Sequence, residues 1–245
     1  MTDPKLDEAR ELLEEGAFEE GLELVDGLEG SEASYLTALA RFELGELDTA
    51  LTMCRGASDR AETRYLEAVI LLSLARADEA LASARRAVEL EPDWADSHYI
   101  LGVVRTQRGE IERADRSFQR ASELAPDDFE TPFRLAPEAF DRAVEEALGL
   151  LPEEFAKYLE NVEVGVEEVP TQELLQSGSS FDDLGLYIGA SIQWGDSDFP
   201  DRILLFQRNL ENISPDRETL VEEIRDTVLH EVGHHMGLEE DELPF

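Results

Sequence analysis

The chain has 245 residues, 42% hydrophobic and 32% charged, which is ordinary for a globular protein of one large or two modest domains. Its 21 Lys and Arg face 58 Asp and Glu, and the resulting net charge of −37 argues against nucleic acid or an anionic membrane as partner. A single cysteine excludes an intramolecular disulfide and a Cys-rich zinc module, and the charged N-terminus without any long apolar run leads us to expect a soluble, cytoplasmic protein.

The first half of the chain contains an internal repeat with a period of 34 residues. The segment that begins at Ala61 aligns with the segment that begins at Ala95, and weaker units start near Ser31 and around residue 6. Apolar residues recur at helical spacing between small residues, so each unit is predicted to be a pair of helices. The pattern resembles the tetratricopeptide repeat, whose signature positions are occupied in the last unit by Leu101, Gly102, Gly109, Ala114, Phe118, Ala121 and Pro126.

Tyrosine occupies the fifth position of three successive units, and an acid occupies the second. The residues are Tyr35, Tyr65 and Tyr99, with Glu32, Glu62 and Asp96. These positions share one helical face, which lines the concave groove in repeats that resemble these. One interpretation is a peptide groove for basic or apolar segments of a protein partner. The other is that the tyrosines pack against the C-terminal half of the chain, and the sequence favours neither.

Two further residues of the repeat region are interpreted as structural. Cys54 stands where the repeat needs a small buried side chain, so we expect a core residue and not a reactive thiol. His98 stands where the family prefers a bulky packing residue. Neither is therefore a candidate for chemistry.

The repeat pattern stops after Pro126, and several prolines follow it. We therefore expect a repeat domain at 1–128 and a second domain at 129–245. The second domain is predicted to be α+β with a small sheet, from helices at 138–148, 152–159 and 215–236 and strands at 162–166, 184–188 and 203–206. The last helix is predicted to begin with Ser214 as N-cap and Pro215 as its first residue.

Three of the four histidines lie within six residues, in the segment His-Glu-Val-Gly-His-His at 230–235. His230 and His234 are four residues apart, so on a helix both imidazoles project from one face and can bind one metal ion. Glu231 lies beside that face, where its carboxylate can accept a proton from a metal-bound water. This arrangement is typical of zinc peptidases, although other divalent metals remain possible.

Catalytic zinc takes three protein ligands, and we expect the third among the residues that follow the motif. Gly237 would turn the chain sharply after the helix and bring back Glu240, six residues after the second histidine. Glu239 and Asp241 are the alternatives for this ligand. His235 is predicted to point away from the ligand face and to support or pack the site.

The segment at 230–243 resembles the signature of the minimal zincin-like bacterial metallopeptidase family. The resemblance extends upstream to about residue 138, through the segments 140–148, 151–155, 184–189, 200–206 and 227–230. It implies a compact zincin-like fold with an active-site helix at the C-terminus.

The same resemblance implies the roles of the motif residues. His230 and His234 would be zinc ligands together with an acid near position 240. Glu231 would be the catalytic base, and Gly237 would form the turn. The residue that stabilises the oxyanion is not indicated, and Tyr187 is a candidate for it, as is His235.

The sequence thus predicts helical repeats followed by a zincin-like α+β domain. The favoured function is a zinc metallopeptidase that hydrolyses a peptide bond with activated water, while the repeats recruit a protein or peptide. The alternative is a non-catalytic repeat adaptor with a silent or regulatory metal site. A third interpretation takes the motif helix as ordinary core without metal.

Overall fold

The computed structural model describes residues 3–189 and 201–236, which form two compact units. The first unit covers Met1–Phe129 and the second covers Glu130–Phe245. Within the described part of the chain, no helix is long and apolar enough to cross a lipid bilayer.

The first unit is built from consecutive pairs of helices, as the repeat pattern predicted. Each helix packs against the one that follows it in the chain. The fold class expected for this half of the chain is confirmed. The helices are α1 (Pro4–Glu14), α2 (Phe18–Val25), α3 (Ser31–Glu43), α4 (Leu47–Gly56), α5 (Ala61–Ser73), α6 (Ala77–Leu90), α7 (Ala95–Gln107) and α8 (Ile111–Leu124).

Small residues at repeated positions allow the paired helices to touch. A Cβ atom on Gly102 in α7 would lie 2.6 Å from the ring of Phe118 in α8, which is closer than real contacts allow. The turns between paired helices need a left-handed residue, and Gly45 and Gly109 provide it with φ of 75° and 70°. The equivalent turn in the third pair uses Ala75, which adopts a φ of 56° although it is not glycine.

The second unit combines short strands with helices, which confirms the α+β prediction. Its elements are α9 (Pro137–Gly149), α10 (Glu153–Ala156), a 3₁₀ turn (Lys157–Asn161), β1 (Val162–Glu167), α11 (Gln172–Ser177), β2 (Gly185–Ile188), β3 (Asp201–Phe206), α12 (Gln207–Asn212) and α13 (Arg217–His235). The sequence did not predict α11 and α12. The helix predicted at 152–159 is divided between α10 and the 3₁₀ turn.

The sheet of the second unit has the order β1-β3-β2, with β3 parallel to β1 and antiparallel to β2. The central strand β3 is buried over its last four residues, and α13 packs against β2, β3 and α9. The core contains Phe140 from α9, Leu205 from β3, and Ile224 and Val228 from α13, each fully buried. The longest helix of the unit is therefore also a main component of its core.

The predicted start of α13 is wrong by two residues. The N-cap is Asp216, whose carboxylate accepts a hydrogen bond of 3.0 Å from the backbone N–H of Thr219. Ser214 is instead buried, and its hydroxyl donates to the carbonyl of Leu210 at 2.7 Å. An aspartate two residues later offers an equally good cap, and the serine hydroxyl bonds to the preceding helix α12 instead.

Candidate functional site

Helix α13 carries both motif histidines on one face. The Nε2 atoms of His230 and His234 lie 3.0 Å apart. Their rings meet edge to face at 83°, with centroids separated by 4.7 Å. Both residues are half-buried, and His230 borders a cavity. The two imidazoles therefore converge on one point, as the helical spacing predicted.

This geometry fits two ligands of one zinc ion. Zn–N bonds of about 2.0–2.1 Å at a tetrahedral angle place two nitrogen ligands roughly 3.3 Å apart. The observed 3.0 Å between the two Nε2 atoms is within a few tenths of an ångström of that separation. Imidazole nitrogen is also a donor that zinc commonly takes. These histidines could therefore hold zinc without a change of helix geometry.

The third ligand is not found among the described residues. Within them, no group of three His, Cys, Asp or Glu side chains is arranged to hold a metal ion. Outside them lie Glu240, its alternatives Glu239 and Asp241, and Gly237. The side chain of His235, at the end of α13, is likewise not described. The roles assigned to these residues stay predictions.

Glu231 is buried between α13 and the sheet, with 7% of its surface exposed. Its Oε2 atom accepts a hydrogen bond of 2.7 Å from the backbone N–H of Tyr187 in β2. The residue also lines the cavity beside His230. An ionised carboxylate only accepts hydrogen bonds, so this environment is compatible with a general base.

A cavity of ≈ 320 Å³ lies beside His230 and Glu231. Its remaining lining residues are Asp183, Leu184, Gly185, Glu223, Asp226 and Thr227. Burial raises the pKa of Asp183, and burial together with the charge of Asp226 raises the pKa of Glu223. The carboxylates make the wall of the cavity negative, which favours cations over anions.

These acids were not predicted, although the sequence contains a signal for two of them. Asp226 precedes His230 by four residues, and Glu223 precedes it by seven. Both therefore lie on the face that carries the histidines, because positions four and seven residues apart share a side of a helix. Asp183 lies in a loop, where no periodic pattern could have indicated it.

Helix α12 fixes one wall of the cavity. The side-chain amide of Asn209 donates to the backbone carbonyl of Phe181 at 3.0 Å and to that of Asp183 at 2.7 Å. Two residues later, Glu211 is fully buried and ion-paired with two arginines. The loop that carries Asp183 is thus tied to a helix that the sequence did not predict.

Tyr187 contributes its backbone, and not its hydroxyl, to the motif. The hydroxyl hydrogen-bonds to Asp201, and burial together with this contact raises its pKa. The backbone N–H instead donates to Glu231. The proposed oxyanion role of the hydroxyl is therefore not favoured. No side-chain pattern signals a main-chain donor, so the sequence could not indicate this contact.

The three tyrosines of the repeat are half-buried and contact residues of their own unit. The ring of Tyr65 lies 5.3 Å from that of Trp94, and Tyr99 stacks on a phenylalanine ring at 4.9 Å. The guanidinium of Arg60 lies 5.8 Å from the centre of the Tyr35 ring. Each tyrosine therefore retains exposed surface while packing within the repeat array.

One of the three acids beside these tyrosines, Glu32, is ion-paired within the array. Glu32 accepts a hydrogen bond of 2.7 Å from Arg60 and a second one from Arg10. Glu62 and Asp96 are half-buried. Burial raises the pKa of Tyr35, and the charge of Glu62 adds to that effect. The negative rim expected from the sequence is thus partly neutralised within the array.

Cys54 and His98 are structural residues, as predicted. Cys54 is 1% exposed, and burial raises the pKa of its thiol to about 12. The ring Nε2 of His98 lies 2.8 Å from the carbonyl oxygen of Pro92. Neither Cys54 nor His98 is among the residues that line the cavity beside His230.

Comparison with protein families identifies both parts of the chain. A family model described as zincin-like metallopeptidase matches residues 159–244. A tetratricopeptide repeat model matches residues 61–93 and 95–128. These two matches confirm the two resemblances predicted from the sequence, over residues 61–128 and 159–244. The first match begins at 159, so the segment 138–158 lies outside it.

Comparison with solved structures finds several similar chains. YrrB, described as a TPR protein with an unusual peptide-binding site, is 20% identical with a TM-score of 0.44, and the match covers 50% of this chain and 68% of that one. MamA from Desulfovibrio magneticus RS-1 is 21% identical with a TM-score of 0.43, covering 51% of this chain and 78% of that one. A comparison with curated proteins finds no match.

Proposed function

We propose that the second unit is a zinc-dependent peptidase domain and that the repeats recruit a protein or peptide to it, in a cytoplasmic protein. One observation carries the proposal: the Nε2 atoms of His230 and His234 lie 3.0 Å apart, and the buried carboxylate of Glu231 lines the same cavity as His230. The zincin-like match supports the same class of function, and zinc is the metal implied by that family.

The residues would divide the work as follows. His230 and His234 would hold zinc together with an acid near the end of the chain, with Glu240 as our choice. When bound, zinc would polarise the peptide carbonyl and acidify water. Glu231 would take the proton of the attacking water and return it to the leaving amine.

Two variants test the catalytic part of the proposal. Glu231→Gln should keep one zinc per chain by elemental analysis but lose cleavage of a quenched fluorescent peptide library by about 100-fold or more. The matched control is Glu222→Gln, an exposed position on the same helix, which should cleave like the parent. If Glu231→Gln cleaves as fast as the control, the mechanism is wrong.

A second pair of variants tests the metal site. His230→Ala and His234→Ala should each lose zinc on dialysis, because two protein ligands hold catalytic zinc poorly. His98→Ala, in the repeat, is the control and should retain it. Equal zinc content in all three variants would show that the motif helix is not the metal site.

The alternative function is that of a repeat adaptor whose metal site is silent. It is favoured by the exposed parts of the tyrosine rings, which a peptide could cover. Binding of a labelled basic peptide, with an acidic peptide as the control, should distinguish a groove from a packed surface. If the tyrosines line a groove, the parent should bind the basic peptide and Tyr35→Ala should bind it more weakly. Such binding by a protein that cleaves no library peptide would favour the adaptor.

A further inference from the structure

Strand β2 of the sheet lies against the predicted catalytic base, Glu231. Among the described residues β2 is an edge strand, and in its register Tyr187 is opposite Ile203. The backbone N–H of Phe206 donates to the carbonyl of Leu184. Because hydrogen-bonded pairs alternate in an antiparallel ladder, residues 184, 186 and 188 bond to β3 and residue 187 faces outward. The acceptor for that outward N–H is Oε2 of Glu231, at 2.7 Å.

A glycine permits this close approach of β2 and α13. A Cβ atom on Gly185 would lie 2.6 Å from Cγ2 of Thr227 and 3.2 Å from Cγ of Glu231. It would also lie 3.2 Å from the backbone carbonyl oxygen of Leu204 in β3. Gly185 is therefore enclosed by α13 and by β3, and any side chain at this position would push α13 and β2 apart.

We infer that Gly185 is a positioning residue for Glu231. It sets the separation between β2 and α13, and at that separation the Tyr187 N–H holds the carboxylate in one orientation beside His230. Glu231 is 7% exposed, so few other orientations are open to it. The catalytic consequence rests on the proposed peptidase function, whereas the hydrogen bond can be tested without it.

The hydrogen bond is tested by amide exchange in the full-length protein. In Glu231→Ala, exchange of the Tyr187 amide should accelerate about 10-fold or more, because the N–H loses its acceptor. The Leu186 amide, which faces β3, is the internal control and should change much less. If both amides respond equally, or neither responds, the Tyr187 N–H does not hold the Glu231 carboxylate and the inference is overturned.

The positioning role is tested by Gly185→Ala. Its kcat on a peptide found in the library screen should fall about 10- to 100-fold with a much smaller change in KM, because a base displaced by about 1 Å is badly placed for proton transfer. The visible spectrum of the Co²⁺-substituted protein should stay unchanged, since the histidines do not move. Gly165→Ala in β1 is the control, because its Cβ would meet only side-chain atoms, at 3.2 Å or more.

A second-site change separates positioning from misfolding. Thr227→Ser removes the Cγ2 atom that the new Cβ would strike, so Gly185→Ala should cost less kcat in a Thr227→Ser background than alone. An equal cost in both backgrounds, or a loss equal to that of Gly165→Ala, would overturn the inference. If no variant or parent cleaves any peptide, the proposed function fails, and Tyr187 amide exchange decides the inference, because it should accelerate in Gly185→Ala and not in Gly165→Ala.

Discussion

Replacing the buried carboxylate of Glu211 should destabilise the second unit strongly. Glu211 is fully buried and accepts hydrogen bonds from Gln207 at 2.8 Å, from the backbone N–H of Leu135 at 2.9 Å, and from Arg208 and Arg134 at 2.9 and 3.3 Å. Glu211→Gln keeps the shape and removes the charge, so Arg134 and Arg208 lose a fully buried carboxylate partner, while Arg208 keeps its ion pair of 3.0 Å with the exposed Glu168. Breaking a buried ion pair in this way costs about 3–5 kcal/mol.

The lower end of that range applies here. The side chains of Arg134 and Arg208 keep 19% and 12% exposure, so water can partly replace the carboxylate. We expect Glu211→Gln to lower the free energy of unfolding by about 3 kcal/mol, and the Tm of the unit by about 10 °C. Urea titration followed by hydrogen exchange of β3 and α13 peptides isolates this unit from the repeats.

The control is an exposed ion pair in the same unit. Glu146 and Arg217 approach to 2.6 Å, and both side chains are 47% exposed. Glu146→Gln should leave the urea midpoint unchanged, because exposed pairs are screened by water. If Glu211→Gln shifts the midpoint no more than Glu146→Gln does, the buried network contributes nothing and the reasoning from burial is refuted.

Three further outcomes follow from local structure. Ala75→Gly should raise the free energy of unfolding of the repeat unit by about 0.5–1 kcal/mol in urea titration, because the strain of alanine at a left-handed φ exceeds the extra entropy that glycine loses on folding. A loss of stability would contradict this. Cys54 should resist iodoacetamide at pH 8 until the repeat unfolds, since its pKa of about 12 leaves almost no thiolate; rapid labelling of the native protein would show otherwise. Burial raises the pKa of Asp183, so the folded state holds its proton more tightly than the unfolded state, and stability falls as the pH rises through that interval. Asp183→Asn should therefore stabilise the protein at pH 7 in thermal melts, with the gain disappearing below about pH 4, and a gain that persists at low pH would rule out this origin.

The predictable part of the fold was the part with strong periodicity. The 34-residue repeat predicted the helix pairs, and the four-residue spacing of His230 and His234 predicted their convergence at 3.0 Å. Helices α11 and α12 have six residues each, too few for a helical period to emerge. Helix α11 is capped locally, by the Thr171 side chain and by Gly178, whereas α12 makes contacts distant in the sequence, such as that between Asn209 and Asp183.

The residues of the site on α13 could be predicted from the sequence, but the residues that they contact in the sheet could not. Side chains on α13 follow the helical period, so the spacing in the sequence places Asp226 and Glu223 on the same face as the histidines. The partners that α13 meets in the sheet do not follow from its own sequence. Whether a glycine in β2 leaves room for a carboxylate depends on the register between β2 and β3, which no local pattern sets.

The two faces of α13 also explain why the site and the core are coupled. Ile224, Val228 and Val232 are buried in the core to 1% exposure or less, while Asp226 and His230 line the cavity on the other side. A helix fixed by a close-packed core holds its outer side chains in fixed positions, which a catalytic or metal site requires. Under the proposed function, changes in the core of this unit should therefore alter zinc affinity as well as stability, and the zinc content of each variant should be measured before its activity is interpreted.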